Sequence, residues 1–414
     1  MARAPFYLAS VCTHWRFVAL GISSIWASIT SPRWRPRTPS EIRHRPSSHM
    51  RMYELLMLRS QPSLLNFTLE LDFLGVQSQN AVVEVLEPHM QRISCLTITL
   101  PSLIPYLSIY FRNLTELHLY TSWEYETMLE LKAPMLRSLF LTRPSDMFSR
   151  FKLPWAQIEE LNVSQVSVFE LSILLHLCPY IKTLGLYGAD AHEIPSSAEE
   201  LLAPTVTHLR IMIAEPGESN AHADLISLLR LPGLNTIDIR DMRPVVMPWI
   251  CSALGRGIQD MIQQSGCRVA HLILQDANIT HAEMQTLLSV MPSLTSLVFH
   301  TFHDDSTEGS SDLFTRLVAS EMKGERVSKR TLVPCLTSID IEDSGRTLPD
   351  SSLLRLLRSR SGQSNSSGVA VLQSVRVKFR DREIDRTICK SIKQCISSNR
   401  IRIELVDSEG LVDL

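Results

Sequence analysis

Apolar residues recur along the chain in one local pattern: apolar, two residues, apolar, one residue, apolar. It occurs at Leu64/Phe67/Leu69, Ile93/Leu96/Ile98, Leu114/Leu117/Leu119 and Leu136/Leu139/Leu141. It returns at Ile158/Leu161/Val163, Ile181/Leu184/Leu186, Val206/Leu209/Ile211 and Leu234/Ile237/Ile239. Val269/Leu272/Leu274, Leu294/Leu297/Phe299, Leu336/Ile339/Ile341 and Leu372/Val375/Val377 close the series. Successive starts lie 29, 21, 22, 22, 23, 25, 28, 35, 25, 42 and 36 residues apart. The last two apolar residues of each triplet are two apart, which is the period of a strand with one buried face. Single matches carry little weight because Leu is common, but a series at near-regular spacing marks an internal repeat.

The intervals carry helix and stop signals. Leu171, Leu174, Leu175 and Cys178 follow helical spacing, as do Met284, Leu287, Leu288 and Met291. Thr280 and Glu283 form a capping box before the second set. Pro134, Pro179, Pro204, Pro232, Pro292 and Pro334 each stand two residues before a triplet, where proline ends a helix and favours an extended chain. Each unit is therefore expected to be a strand, a turn, a helix and a proline stop.

Composition narrows the class. The chain has 414 residues, 44% hydrophobic and 20% charged, which is the balance of a folded globular protein. The net charge of −2 argues against a polyanion-binding protein. Residues 1–60 carry nine Arg against two Glu, an excess of seven positive charges, which leaves about −9 on the rest. Eight Cys show no paired spacing and read as reduced thiols of a cytoplasmic or nuclear protein. No apolar run reaches 18 residues, so no membrane span is expected.

The triplet series resembles leucine-rich repeats over about residues 63–400. That resemblance implies an α/β solenoid: a curved parallel sheet with helices on its convex side, over residues 63–414. The family's Asn or Cys after the strand is mostly absent, with Ser122, Pro144 and Ala189 in that place in three units. The polar residues between the strand leucines should alternate outward onto the concave face. On that face we expect Glu116, His118, Tyr120, Tyr187, His208, Arg210, Asp238, Arg240, His271 and His300 to contact a protein partner. Asp340, Glu342, Arg376 and Lys378 continue the face toward the end. Tyr187 and Arg210 are the expected anchors, because Tyr and Arg dominate interface hot spots.

Before the series, Leu8, Val11, Cys12, Trp15 and Val18 follow helical spacing, and Trp26 stands eight residues further on. The segment Leu8–Ile29 resembles the second half of an F-box, matching at Val11, Cys12, Trp15, Arg16, Ala19, Trp26 and Ile29. The family's opening Leu-Pro and acidic helix do not precede it, so a truncated or degenerate F-box over residues 1–30 is expected. The resemblance implies docking of a Skp-type adaptor and its cullin complex through Leu8, Val11, Cys12, Trp15 and Trp26. Trp15 and Trp26 are expected to share one small core. So short a segment should dock on the first repeats or fray. Residues 31–62 hold a Pro/Arg-rich stretch and a short helix, read as a solvated linker. Ser359–Gly368 reads as a flexible loop, and His303–Ser311 opens the longest insertion.

No P-loop, dinucleotide fingerprint, nucleophile elbow or H-E-x-x-H occurs. Cys389 and Cys395 lack the partners of a zinc framework. His271 and His300 are expected on neighbouring strands, without a Cys or carboxylate to complete a site. The expectation is therefore no catalytic residue, no cofactor and no metal, and no nucleic-acid or membrane partner. The chain reads as a non-catalytic recognition subunit resembling fungal-type F-box/leucine-rich-repeat adaptors of ubiquitin ligases. The alternative is a leucine-rich-repeat scaffold with no ligase role.

Overall fold

The computed structural model describes residues 4–30, 46–70, 84, 86–99, 106–120, 128–144, 148, 151–189, 200–213, 218–241, 252–275, 281–300, 317, 332–343, 350–360, 369–379, 389–393, 401–407 and 410–411. Linker residues 31–45, residues 303–311, residues 361–368, Thr280, Ser122 and Cys395 lie outside that set. The chain is α/β and divides into two compact units, Met1–Ile181 and Lys182–Leu414. No helix among the described residues is long and apolar enough to cross a membrane.

In the first unit the strands are Ser28–Thr30 (β1), Leu65–Glu70 (β2), Ile93–Thr99 (β3), Tyr106–Tyr110 (β4), Glu116–Tyr120 (β5), Met128–Lys132 (β6), Ser138–Thr142 (β7), Phe151–Lys152 (β8) and Glu160–Val166 (β9). The parallel main sheet runs β1-β2-β3-β5-β7-β9. Its helices are Ala4–Val11 (α1), Thr13–Gly21 (α2), Pro46–Arg59 (α3) and Val168–Leu177 (α4). In the second unit the strands are Thr183–Ala189 (β10), Leu201–Leu202 (β11), His208–Ile213 (β12), Leu229–Arg230 (β13), Thr236–Asp241 (β14), His271–Gln275 (β15), Ser296–His300 (β16), Ser338–Asp343 (β17), Ser374–Phe379 (β18), Arg402–Asp407 (β19) and Gly410–Leu411 (β20). Here β10-β12-β14-β15-β16-β17-β18-β19 pair in parallel, and β20 turns back antiparallel on β19. Helices Glu218–Ser227 (α5), Ser252–Ser265 (α6), His281–Ser289 (α7) and Asp350–Ser359 (α8) occupy four of the crossovers.

The apolar triplets form the core. All of their residues are buried except Leu64 and Phe299. Leu64 is 53% exposed, and Leu65 is buried in its stead, because β2 enters the sheet one residue later. Register stacks equivalent residues: Leu184 faces Leu209, which faces Ile237, then Leu272, Leu297, Ile339 and Val375. Each such buried side chain contributes roughly 2 kcal/mol.

The six prolines were expected to stop helices, but Pro134, Pro204 and Pro232 follow the strands β6, β11 and β13. Each of the six occupies the second position of a tight turn whose closing N–H belongs to the first residue of a triplet. Thus Leu136 N–H donates to Ala133 O around Pro134, and Val206 to Ala203 around Pro204. Leu234, Leu294, Leu336 and Ile181 close the turns at Pro232, Pro292, Pro334 and Pro179 in the same way. Proline fixes φ at the value this turn position needs.

A helix in every interval was expected; among the described residues between β3 and β9, Phe148 is the one α-helical residue. Between β3 and β9 the returns are the strands β4, β6 and β8, which pair in parallel as a second sheet. An extended residue advances about 3.3 Å against about 1.5 Å in a helix. An interval of 21 or 22 residues therefore crosses back more economically as a strand. The helical spacings called at Leu171–Cys178 and Met284–Met291 do form α4 and α7. Ser167 and Glu170 cap α4 reciprocally, a capping box the periodicity alone did not expose.

Two arginines, one half-buried and one fully buried, close loose ends. Arg92 donates to Met57 O, Ser63 O and Ser60 Oγ, joining the turn before β3 to the end of α3. Arg360, fully buried after α8, donates to the carbonyls of Leu317, Leu332, Val333 and Leu336.

Candidate functional site

The N-terminal segment is two helices, not one. Cys12 is extended (φ −160°, ψ 175°) and caps α2, its Sγ accepting from Trp15 N–H at 3.5 Å. The break turns the expected single apolar stripe into two short faces. Trp26 is 0% exposed: its Nε1–H donates to Ala19 O at 2.6 Å, Phe6 meets its ring edge-on, and the Arg59 guanidinium lies 4.6 Å over it. Ala19 and Ile29 are buried beside it in the sequence motif. Trp15, by contrast, is 47% exposed, so the two tryptophans do not share a core. Trp26 is an internal anchor and cannot be a docking contact, which corrects its place among the expected adaptor residues. Leu8, Val11, Cys12 and Trp15 are exposed, together with Tyr7, Phe17, Leu20 and Ile22. The segment is docked, not frayed: β1 pairs with β2, placing Ile29 beside Phe67, and Ser23 Oγ meets Ser63 Oγ at 2.8 Å.

On the main sheet of the first unit, the residues between the triplet leucines form rows on the face away from the core. One row sets Cys95 opposite Glu116 and Glu116 opposite Ser138. The next sets Thr97, His118, Phe140 and Asn162 side by side. His118 Nε2 lies 2.6 Å from Glu116 Oε1, and its ring stacks on Phe140 at 5.4 Å. Tyr120 leans on the same Phe140 at 5.5 Å. Burial pushes the Cys95 thiol up to about 11, helped by the charge of Glu116 and the hydrogen bond to it. Cys95, Glu116 and His118 bring one sulfur, one oxygen and one nitrogen within 4.8 Å of one another.

In the second unit the outward rows are charged. Asp238 is only 1% exposed. Arg240 Nε and Nη2 donate to it at 3.0 and 2.9 Å, Arg210 Nε lies 3.5 Å away, and His208 Nε2 lies 3.9 Å away. Asp238 was expected to touch a partner; covered by these three side chains, it organises them instead. Further along, His300 sits 3.6 Å from Asp340 and 4.0 Å from Glu342. Lys378 donates to Glu342 at 2.7 Å, and Arg376 lies between Asp340 and Glu404. His300 thus does have carboxylate neighbours, contrary to expectation. His271 is exposed and pairs with Ser296, while His300 pairs with Gln275, so the two histidines stand at opposite ends of adjacent strands. Tyr187 stands opposite Met212, partly exposed at the end of its row.

Cys95 was not among the expected site residues. The signal was present, because Cys95 precedes Leu96 as Glu116 precedes Leu117, which is the same row of the pattern. Among the described residues six cysteines are free thiols.

No known protein-family model matches this chain, and no curated protein matches it in sequence.

Proposed function

We propose that the chain is a non-catalytic recognition subunit of the F-box/leucine-rich-repeat kind. In this reading its parallel sheets belong to a leucine-rich-repeat solenoid, with one strand for each apolar triplet. The N-terminal helices dock a Skp-type adaptor of a cullin–RING ubiquitin ligase in the cytoplasm or nucleus. The outward sheet rows hold a target protein. Tethering raises the effective concentration of the target's lysines at the ligase, and the bond-making groups belong to other subunits.

One observation carries this reading: the N-terminal motif is divided between inside and outside. Ala19, Trp26 and Ile29 are spent on a core. Leu8, Val11 and Trp15, which that core does not need, remain exposed beside Tyr7 and Phe17. So many large apolar side chains left exposed on two short helices suit a protein contact. The mixed charges and rings of the sheet rows suit a protein target better than a polyanion.

The test is co-purification of the Skp-type adaptor with the full chain. Wild type should capture it, and the double variant Val11→Asp/Trp15→Asp should not. The variant's thermal midpoint should stay nearly unchanged, because Val11 is 66% exposed. Failure of the wild-type chain to capture the adaptor would leave a binding scaffold without a ligase role. Tyr187→Ala/Arg210→Ala should keep the adaptor and lose the target, and unchanged target yield would remove the sheet rows from recognition.

A further inference from the structure

We propose that Cys95, Glu116 and His118 form a binding site for a zinc-class divalent metal ion on the outward face of the first unit's sheet. The site rests on strand geometry and does not depend on the adaptor reading above. Parallel pairing of β3 with β5 puts Cys95 directly opposite Glu116. Strand alternation then brings His118, two residues on, to the same face. Three side chains from two paired strands thus converge with their ligand atoms within 4.8 Å of one another.

The chemistry of the set selects the ion. One thiolate, one imidazole and one carboxylate suit zinc and its spectroscopic substitute cobalt, with bonds of about 2.3 Å to sulfur and about 2.0–2.2 Å to nitrogen and oxygen. Hard cations such as magnesium and calcium take oxygen ligands and would leave the sulfur and nitrogen unused. Binding replaces the His118–Glu116 contact by two metal bonds, the Nε2 proton passing through solvent to Nδ1, and forms a third to Cys95 Sγ, whose proton leaves to solvent. Stacking on Phe140 fixes the plane of the His118 ring, so the imidazole loses little freedom on binding. Three protein ligands leave a fourth tetrahedral position, which is filled by water. All three side chains are partly exposed, so an ion can enter from solvent.

The experiment is a cobalt(II) titration of the full chain, followed by absorption. We expect intense visible bands of tetrahedral cobalt and a near-ultraviolet thiolate charge-transfer band, both saturating at one equivalent and both abolished by zinc. Cys95→Ser should lose the charge-transfer band. Glu116→Gln and His118→Ala should weaken cobalt binding at least tenfold. Cys12→Ser/Cys335→Ser removes two exposed thiols elsewhere and should bind as wild type does. Thermal unfolding gives a second readout: zinc should raise the midpoint of wild type but not that of Glu116→Gln. The site is overturned if wild type shows no charge-transfer band, or if the band survives Cys95→Ser. It is equally overturned if the band vanishes in Cys12→Ser/Cys335→Ser.

Discussion

Arg240 grips Asp238 through two nitrogens, Nε to one carboxylate oxygen at 3.0 Å and Nη2 to the other at 2.9 Å. The pair is asymmetric, because Asp238 is buried while Arg240 reaches solvent. Asp238 also neutralises Arg210 on the neighbouring strand, its partner in register. Removing the carboxylate takes away the negative charge that Arg240 and Arg210 share. Asp238→Ala should therefore cost about 2 kcal/mol in urea unfolding, the loss of hydrogen bonds to a charged group. Adding Arg240→Met should recover part of the loss, since it removes one of the stranded charges. A single variant as stable as wild type would show that the carboxylate organises nothing.

Two glycines in α6 should respond to the same substitution with opposite signs. A Cβ on Gly257 would lie 2.4 Å from Ala223 O on α5, so the two helices approach through the missing side chain. A Cβ on Gly255 would meet nothing within 4 Å. Gly257→Ala should lower stability by about 1–3 kcal/mol through overpacking. Gly255→Ala should raise it by about 0.5–1 kcal/mol, because alanine loses less backbone entropy in a helix. Equal shifts for both in thermal unfolding would mean that α5 and α6 do not meet at Gly257.

Burial along the sheets could be read from the sequence because it depends on a period of two, which local spacing reveals. Leu184 and Leu209 were assigned inward by the same spacing that aligns them across the sheet. What spacing cannot give is contact between side chains of different strands. Asp238 looked like any outward polar residue until its neighbours Arg210 and Arg240 were placed, and only the register does that. Arg360 is a sharper case. A helix-terminal arginine reads as solvated, yet it is sealed by carbonyls as far away as Leu317, 43 residues distant in sequence. The N-terminal helix was misjudged for a different reason. Leu8 to Val18 keep helical spacing, but Cys12 serves as a cap in the middle of it, and apolar periodicity does not register caps.

Cys178 ties stability to alkaline pH. It ends α4, with its N–H on Leu174 O at 2.9 Å, and burial pushes its thiol up from an ordinary value near 9 to about 12. In the unfolded chain the same thiol ionises near 9. Between these values the unfolded state binds fewer protons than the folded one, so stability must fall as pH rises. The contribution is complete below about pH 9 and is lost progressively toward 12. Its slope cannot exceed about 1.4 kcal/mol per pH unit for one proton. Cys95, held up to about 11, adds a slope of the same sign over a narrower window. Urea unfolding at about pH 8.5, 9.5 and 10.5 should therefore show a shallower decline for Cys178→Ala than for wild type. The variant's baseline should be lower by roughly 1 kcal/mol for the small cavity left behind. In native protein at pH about 8, a thiol reagent should modify exposed Cys12 well before Cys178. Parallel pH profiles for variant and wild type, or labelling of Cys178 as fast as Cys12, would show that this thiol is not held protonated by the fold.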